Sequence, residues 1–335
     1  MRWLVFFAGI VLAAAALIGR DLYRQLWQPL PLQEIVAVEV VKGASLSRVL
    51  QDWQNQGYLS SSRQRWTLSI YARLTGQDQA MKAGEYRLGP GMRAIDLSAL
   101  LVSGKVILHE LTLVEGWRFE QALQAIRENT MLAHTLSADS AGAAMAALGR
   151  PELHPEGRFY PDTYRFPRGT TDISFLQRAF ARMEALLAAE WRTRAEGLPY
   201  RTADEALIMA SIVERETSLP AERFDIAGVF VRRLQKGMRL QADPTVIYGL
   251  GAAFDGNIRR RDLETDTPYN TYTRKGLPPT PICLPGRASI NAALHPAPGD
   301  ALYFVAKGDG SHYFSASFTE HNAAVRKYQL KRRAQ

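Results

Sequence analysis

The opening stretch MRWLVFFAGIVLAAAALIGR constrains this chain more than any other segment. It carries no charge between Trp3 and Gly19. Such a run lies at the short limit of the ~20 apolar residues that cross ~30 Å of hydrocarbon. Its alanines imitate the small-residue cleavage sequence of a signal peptide. The run is long for a cleaved signal, however, and Leu17 and Ile18 continue it past the alanines. The reading is an uncleaved anchor over residues 1–22. Lys and Arg do not orient it, since Arg2 and the amino terminus lie on one side and Arg20 and Arg24 on the other. No later segment is comparable, so a single span carrying one large soluble body is expected.

That body has room for two domains in 335 residues, and a charged fraction of 22% marks it as globular. The net charge of +8 favours an anionic partner. No zinc-finger, RNP or basic-zipper pattern accompanies it, so no nucleic acid is expected. The basic cluster Lys327, Lys331, Arg332 and Arg333 reads as a solvated tail suited to acidic headgroups. A single cysteine, Cys283, excludes an internal disulfide framework and reads as a small buried hydrophobe. The histidines lack zinc spacing, so neither a metal nor another cofactor is expected.

Gln28–Gln33 (QPLPLQ) predicts an extended linker within 23–36, because its prolines block a helix. The β-branched run Ile35–Val41 predicts a strand. Ser45 then caps a helix with the stripe Leu46, Val49, Leu50 and Trp53. A Gly turn followed by a short amphipathic helix recurs in Gly89–Lys105 and Val114–Ile126. Such units resemble the LysM-like peptidoglycan-binding module, placed at 37–110, with a larger α+β domain over 111–335. The fold class is thus α+β: one membrane-spanning helix, a small LysM-like module and a larger domain. Trp53, Trp66 and Trp191 follow helical stripes and are expected in the core. The aromatics and prolines of Glu156–Thr171 predict an aromatic-lined surface. Thr202 and Glu205 form a capping box opening a helix near Ala203, and Pro220 suits the first turn of the next, which stops at Gly237. Leu302–Ser315, with two aromatic strands around Gly-Asp-Gly, predicts a hairpin.

Candidate chemistry centres on ASIVERETSLPAER, where an apolar helix ends in Glu214 and Glu216. Two positions apart, these side chains point about 200° from each other. Glu216 falls on the more apolar face. Desolvation and the negative helix end both raise a carboxyl pKa there, as a general acid needs. Residues alone leave open that Glu216 merely solvates the helix end. Two further stretches suit a sugar: one holds Gln241, Asp243, Thr245 and Tyr248, the other Tyr269, Asn270, Thr271 and Tyr272. Either one alone is also compatible with an ordinary polar loop.

Taken together and in order, ASIVERET, GMRLQADPTVIYGLG, YNTYTRKGLPPTPI, His295–Ala297 and LYFVAKGDGSHYFS closely resemble the endolytic murein transglycosylases of the YceG-like family. LVEGWRF and EGRFYPDTYRF extend the match upstream. The resemblance implies a lytic transglycosylase of peptidoglycan whose catalytic residue, the second glutamate of E-x-E-T, is Glu216. Gln241, Asp243, Thr245, Tyr248, Tyr269, Asn270 and Tyr272 are then candidate sugar contacts. It also implies peptidoglycan glycan strands as substrate, peptidoglycan synthases as neighbours, and a single-pass place in the bacterial cytoplasmic membrane with the catalytic body on the extracytoplasmic side. Two alternatives stay open: a non-catalytic peptidoglycan-binding scaffold, and a hydrolase pairing Glu216 with Asp243.

Overall fold

The computed structural model describes residues 2–137, 140–217 and 219–330. Residues 331–335, which hold most of the basic tail, lie outside the described residues, as do Ala138 and Asp139. The chain divides into two compact units, Met1–His109 with Arg165–Gly169, and Glu110–Tyr164 with Thr170–Gln335.

The first unit opens with α1 (Arg2–Trp27). Its stretch Val5–Trp27 is long and apolar enough to cross a membrane, and none of its most apolar part is buried against protein. The helix runs past the expected end of the anchor, and the linker is drawn into the fold. Pro29 bridges Arg93, and Leu30 is buried. Leu26 and Leu32 pack on the same core, and this apolar contact holds down a segment the prolines keep extended. Then follow β1 (Val36–Val40), α2 (Leu46–Asn55), α3 (Ser62–Leu74), β2 (Gly84–Leu88) and α4 (Ala94–Ser103). Strands β1 and β2 pair antiparallel from Val36↔Leu88 to Val40↔Gly84. Ser45 caps α2 by accepting from Arg48 N, and Leu46, Val49, Leu50 and Trp53 are its buried face. Tyr86 is fully buried and donates its hydroxyl to Lys82 O at 2.7 Å. Trp66, expected in the core, is 59% exposed. Helix α3 carries apolar residues on two faces, and the core covers only the Leu68 and Ala72 side.

Strands β3 (Leu108–Thr112) and β5 (Thr163–Pro167) each have residues in both units, and the second unit contains α5 (Phe119–Glu128), β4 (Leu132–Ala133), α6 (Ala141–Ala147), β6 (Thr170–Thr171) and α7 (Asp172–Arg192). Strands β3 and β5 pair, and β4 runs parallel to β6. The aromatics before and within β5 do not line a surface. Phe159, Tyr164 and Phe166 are buried, with Phe159 against Phe119 and Phe180 and Tyr164 edge-on to Phe175. The amphipathic helices α5 and α7 close over the Phe159 and Tyr164 rings, a partner that local composition does not reveal. Gly157 permits the approach: its φ is 77° and a Cβ there would meet Pro281 Cβ at 2.5 Å.

The centre of this unit is α8 (Ala203–Glu216) with α9 (Arg223–Gln235) and α12 (Arg287–Leu294). Thr202 caps α8 through Glu205 N, while Glu205 reaches back one residue further than a capping box requires, to Arg201 N at 2.6 Å. Residues Ala206 to Val213 of α8 are all buried. Between α9 and α12 lie α10 (Asp243–Leu250) and α11 (Arg260–Glu264). Last come β7 (Tyr303–Ala306) and β8 (His312–Ser315), antiparallel from Tyr303↔Ser315 to Ala306↔His312, and then α13 (Phe318–Val325).

Candidate active site

The two glutamates at the end of α8 have opposite surroundings. Glu214 accepts from Gly286 N at 3.0 Å and pairs with Arg223 at 3.5 Å. Its neighbour Glu115 is pushed up by burial and by the Glu214 charge, with Arg223 opposing. Around them Gly116 N donates to Leu284 O, and Leu284 N to Trp117 O. Glu214 therefore ties the end of α8 to the start of α9 and to the residue before α12.

Glu216 is the last residue of α8, because Thr217 is already extended. Its carboxyl faces a groove of about 430 Å³ whose lining includes Arg233, Gln241, Asp243, Tyr272, Tyr303 and His312. Oε2 is shielded from solvent and has no hydrogen-bond partner. Burial pushes this carboxyl up to about 8; the Asp243 charge adds to the shift and Arg233 opposes it. At neutral pH it holds its proton.

Arg233 was not legible in the sequence as a site residue, since it ends an ordinary amphipathic helix. It is buried, donates to Leu302 O and Leu240 O at 2.6 Å each, and lies 5.2 Å over the Tyr303 ring. Its charge beside Glu216 is fixed by backbone carbonyls instead of by a carboxylate. The hairpin completes the wall. Glu222 accepts from the His312 backbone N–H at 2.9 Å through Oε1, and its Oε2 lies 2.6 Å from the His312 ring Nδ1. His321 stacks on Tyr303 at 5.3 Å, and its Nδ1 is buried without a partner.

The sugar-contact candidates separate into two groups. Gln241, Asp243 and Tyr272 line the groove with Glu216. Gln241 has φ 53°, the one positive value outside glycine among the described residues, a conformation that costs about 1 kcal/mol. Tyr272 donates its hydroxyl to Asp243 Oδ1. Thr245, Tyr248, Tyr269 and Asn270 do not line that groove. Thr245 is fully buried and bonds Ala242 O and Thr271 Oγ1. Asn270 Nδ2 donates to the carbonyls of Asp262, Leu263 and Thr265. Tyr269 bonds Thr280 Oγ1 at 2.9 Å. Tyr248 donates to Glu156 Oε2 at 3.1 Å beside a separate cavity of about 410 Å³. Burial pushes Glu156 up to about 7 against the hydrogen bonds from Phe119 N–H and Tyr248 and the Arg118 charge. Among the described residues no three His, Cys, Asp or Glu side chains converge as metal ligands.

The YceG-like family profile matches residues 38–327. The chain belongs to the YceG-like family. A Bacillus subtilis (strain 168) protein named endolytic murein transglycosylase is 29% identical over 95% of this chain and 91% of its own length. A protein of the same name from Streptococcus pneumoniae serotype 2 (strain D39) is 27% identical over 88% of this chain, which spans 58% of that longer relative. A crystal structure of a YceG-like protein from Listeria monocytogenes superposes with a TM-score of 0.54 at 30% identity, covering 87% of this chain and 99% of that one.

Proposed function

We infer that this chain is a membrane-anchored endolytic lytic transglycosylase, a carbon–oxygen lyase acting on peptidoglycan glycan strands, with Glu216 as its catalytic acid and base. The observation that carries this is the Glu216 carboxyl, set in a polar groove with one oxygen shielded and unpartnered, where burial pushes it up to about 8. The names of the relatives in Bacillus and Streptococcus support the substrate class.

Protonated Glu216 donates its proton to the bridging oxygen after N-acetylmuramic acid as the C1–O bond breaks. The carboxylate so formed takes the proton of that sugar's C6 hydroxyl, and O6 closes on C1. The products are a free 4-hydroxyl on the leaving N-acetylglucosamine and a 1,6-anhydro end. No water is consumed, and Glu216 ends the cycle protonated. Intramolecular attack gains large effective molarity, so one carboxyl suffices where a hydrolase uses two. Asp243, bonded to Tyr272, keeps the Glu216 proton on by repulsion. Arg233 offsets the negative charge Glu216 acquires midway. Gln241, Tyr272 and Tyr303 take the sugar. Thr245, Asn270 and Tyr269 hold the loop that presents Tyr272. The first unit serves as a LysM-like glycan-holding module, supported by a cavity of about 600 Å³ whose lining includes Glu39, Arg48, Asp52 and Trp53.

The test is mass spectrometry of products from purified glycan strands with wild type and Glu216→Gln. Wild type should yield anhydro ends, one water lighter than reducing ends, and the variant none. Reducing ends would make the chain a hydrolase, and uncut glycan in both samples would make it a scaffold.

A further inference from the structure

Helix α3 presents a second apolar face that nothing in the first unit covers. Trp66, Ile70 and Leu74 are 59%, 51% and 83% exposed. Spaced four apart, they stack along one side of the helix. Leu68 and Ala72, which the core covers fully, lie on the opposite side. A single exposed apolar residue is ordinary, whereas three in register form a patch. Arg63, Arg65 and Arg73 share the helix with it, and α3 contains no acidic residue. The Arg65 guanidinium sits 5.1 Å over the Trp66 ring, so cation and aromatic are presented together. A helix whose uncovered side is apolar, with an aromatic and only positive charge, suits an anionic lipid interface.

Its position fits that occupant. Arg63 pairs with Asp21 at 3.6 Å, and Gln64 Nε2 donates to Gln25 O at 3.3 Å. Asp21 follows the uncharged run of α1 after only Arg20, so α3 starts where a spanning α1 leaves the hydrocarbon. Tyr23 and Trp27 stack at 5.4 Å on that same end of α1, the aromatic pair expected at a membrane surface.

We propose that α3 docks in the headgroup layer of the anionic leaflet that α1 emerges from, with Trp66, Ile70 and Leu74 in the acyl boundary and Arg63, Arg65 and Arg73 among the phosphates. The proposal rests on reading α1 as a membrane anchor. It gives the first unit two attachments to the bilayer, one spanning and one lying flat.

Because Cys283 is buried, a cysteine introduced on the surface is the one reactive thiol. The full chain with Ile70→Cys, carrying an environment-sensitive fluorophore, is reconstituted into phosphatidylethanolamine–phosphatidylglycerol vesicles; Leu74→Cys is a second reporter and Asn55→Cys the control. Labels at 70 and 74 should shift to shorter wavelength and lose emission to spin-labelled acyl chains, while the label at 55 does neither. Vesicle-bound chain whose labels at 70 and 74 behave like the label at 55 overturns the docking but spares the anchor. Chain that fails to float with vesicles overturns the anchor, and the docking with it. Labels exposed in lipid vesicles yet shielded in native membranes would assign the stripe to a protein partner instead.

Discussion

Tyr272 donates its hydroxyl to Asp243 Oδ1 at 2.5 Å, and this bond separates the two carboxylates of the groove. Asp243 is held as an acceptor while Glu216 keeps a proton it can give. With Glu216 in the proposed role of acid, its proton is needed for bond breaking, so kcat/KM should be flat below pH 8 and fall tenfold per unit above it. Asp243→Asn removes a repelling charge, which lowers the Glu216 pKa and moves the alkaline limb to lower pH. A pH–rate profile of both proteins on glycan strands checks the sign.

The same burial has a cost in stability. A carboxyl with a folded value of about 8 and an ordinary value of 4.5 stabilises fully below pH 4.5 and loses that contribution as pH rises through 8. Glu216→Gln does not titrate. It should therefore match wild type in acid and exceed it increasingly up to pH 8, levelling at about 5 kcal/mol. Thermal melts at a series of pH values read this directly.

Arg233→Met strips the donors from Leu302 O and Leu240 O in a buried place. A loss of about 3 kcal/mol is expected from denaturant melts. The Glu216 limb should also move to higher pH, since a cation that favours the carboxylate is gone.

Two tyrosines in neighbouring motifs should behave differently. Tyr272→Phe acts on the groove and should lower kcat/KM by about tenfold or more, a loss of ~1.4 kcal/mol of transition-state binding. Tyr248→Phe deletes a donor to Glu156 away from the groove. It should cost about 1 kcal/mol of stability and leave kcat/KM near wild type.

Gly157→Ala forces a Cβ to 2.5 Å from Pro281 Cβ at a φ of 77°. A rigid ring cannot give way as a flexible side chain does. The expected loss is about 2 kcal/mol or more, visible as a lower melting temperature.

Local sequence carried the elements whose causes are local. Ser45 and Thr202 announced their helices because a cap is a contact over three residues, and the Gly-Asp-Gly turn announced its hairpin for the same reason. The apolar face behind Glu216 was legible from helical spacing. What covers a face was not. Trp66 and Trp53 sit on equally plausible stripes, yet one is exposed and the other buried. Phe159 and Tyr164 look like a surface strip until α5 and α7 close over them. Arg233 and Glu216 are far apart in the chain, and only the path of α9 brings the cation to the acid.

The groove draws on residues from Glu216 to Gln329, and the hairpin and α13 supply its late wall. A nascent chain emerging amino terminus first winds α8, with its glutamate, well before Tyr303 and His321 exist to screen it. Until then the carboxyl is an ordinary solvated acid, ionised at neutral pH and unable to protonate a leaving sugar. On the proposed reading of Glu216 as the acid, the groove becomes competent only when its last-made residues are in place, near the end of biosynthesis.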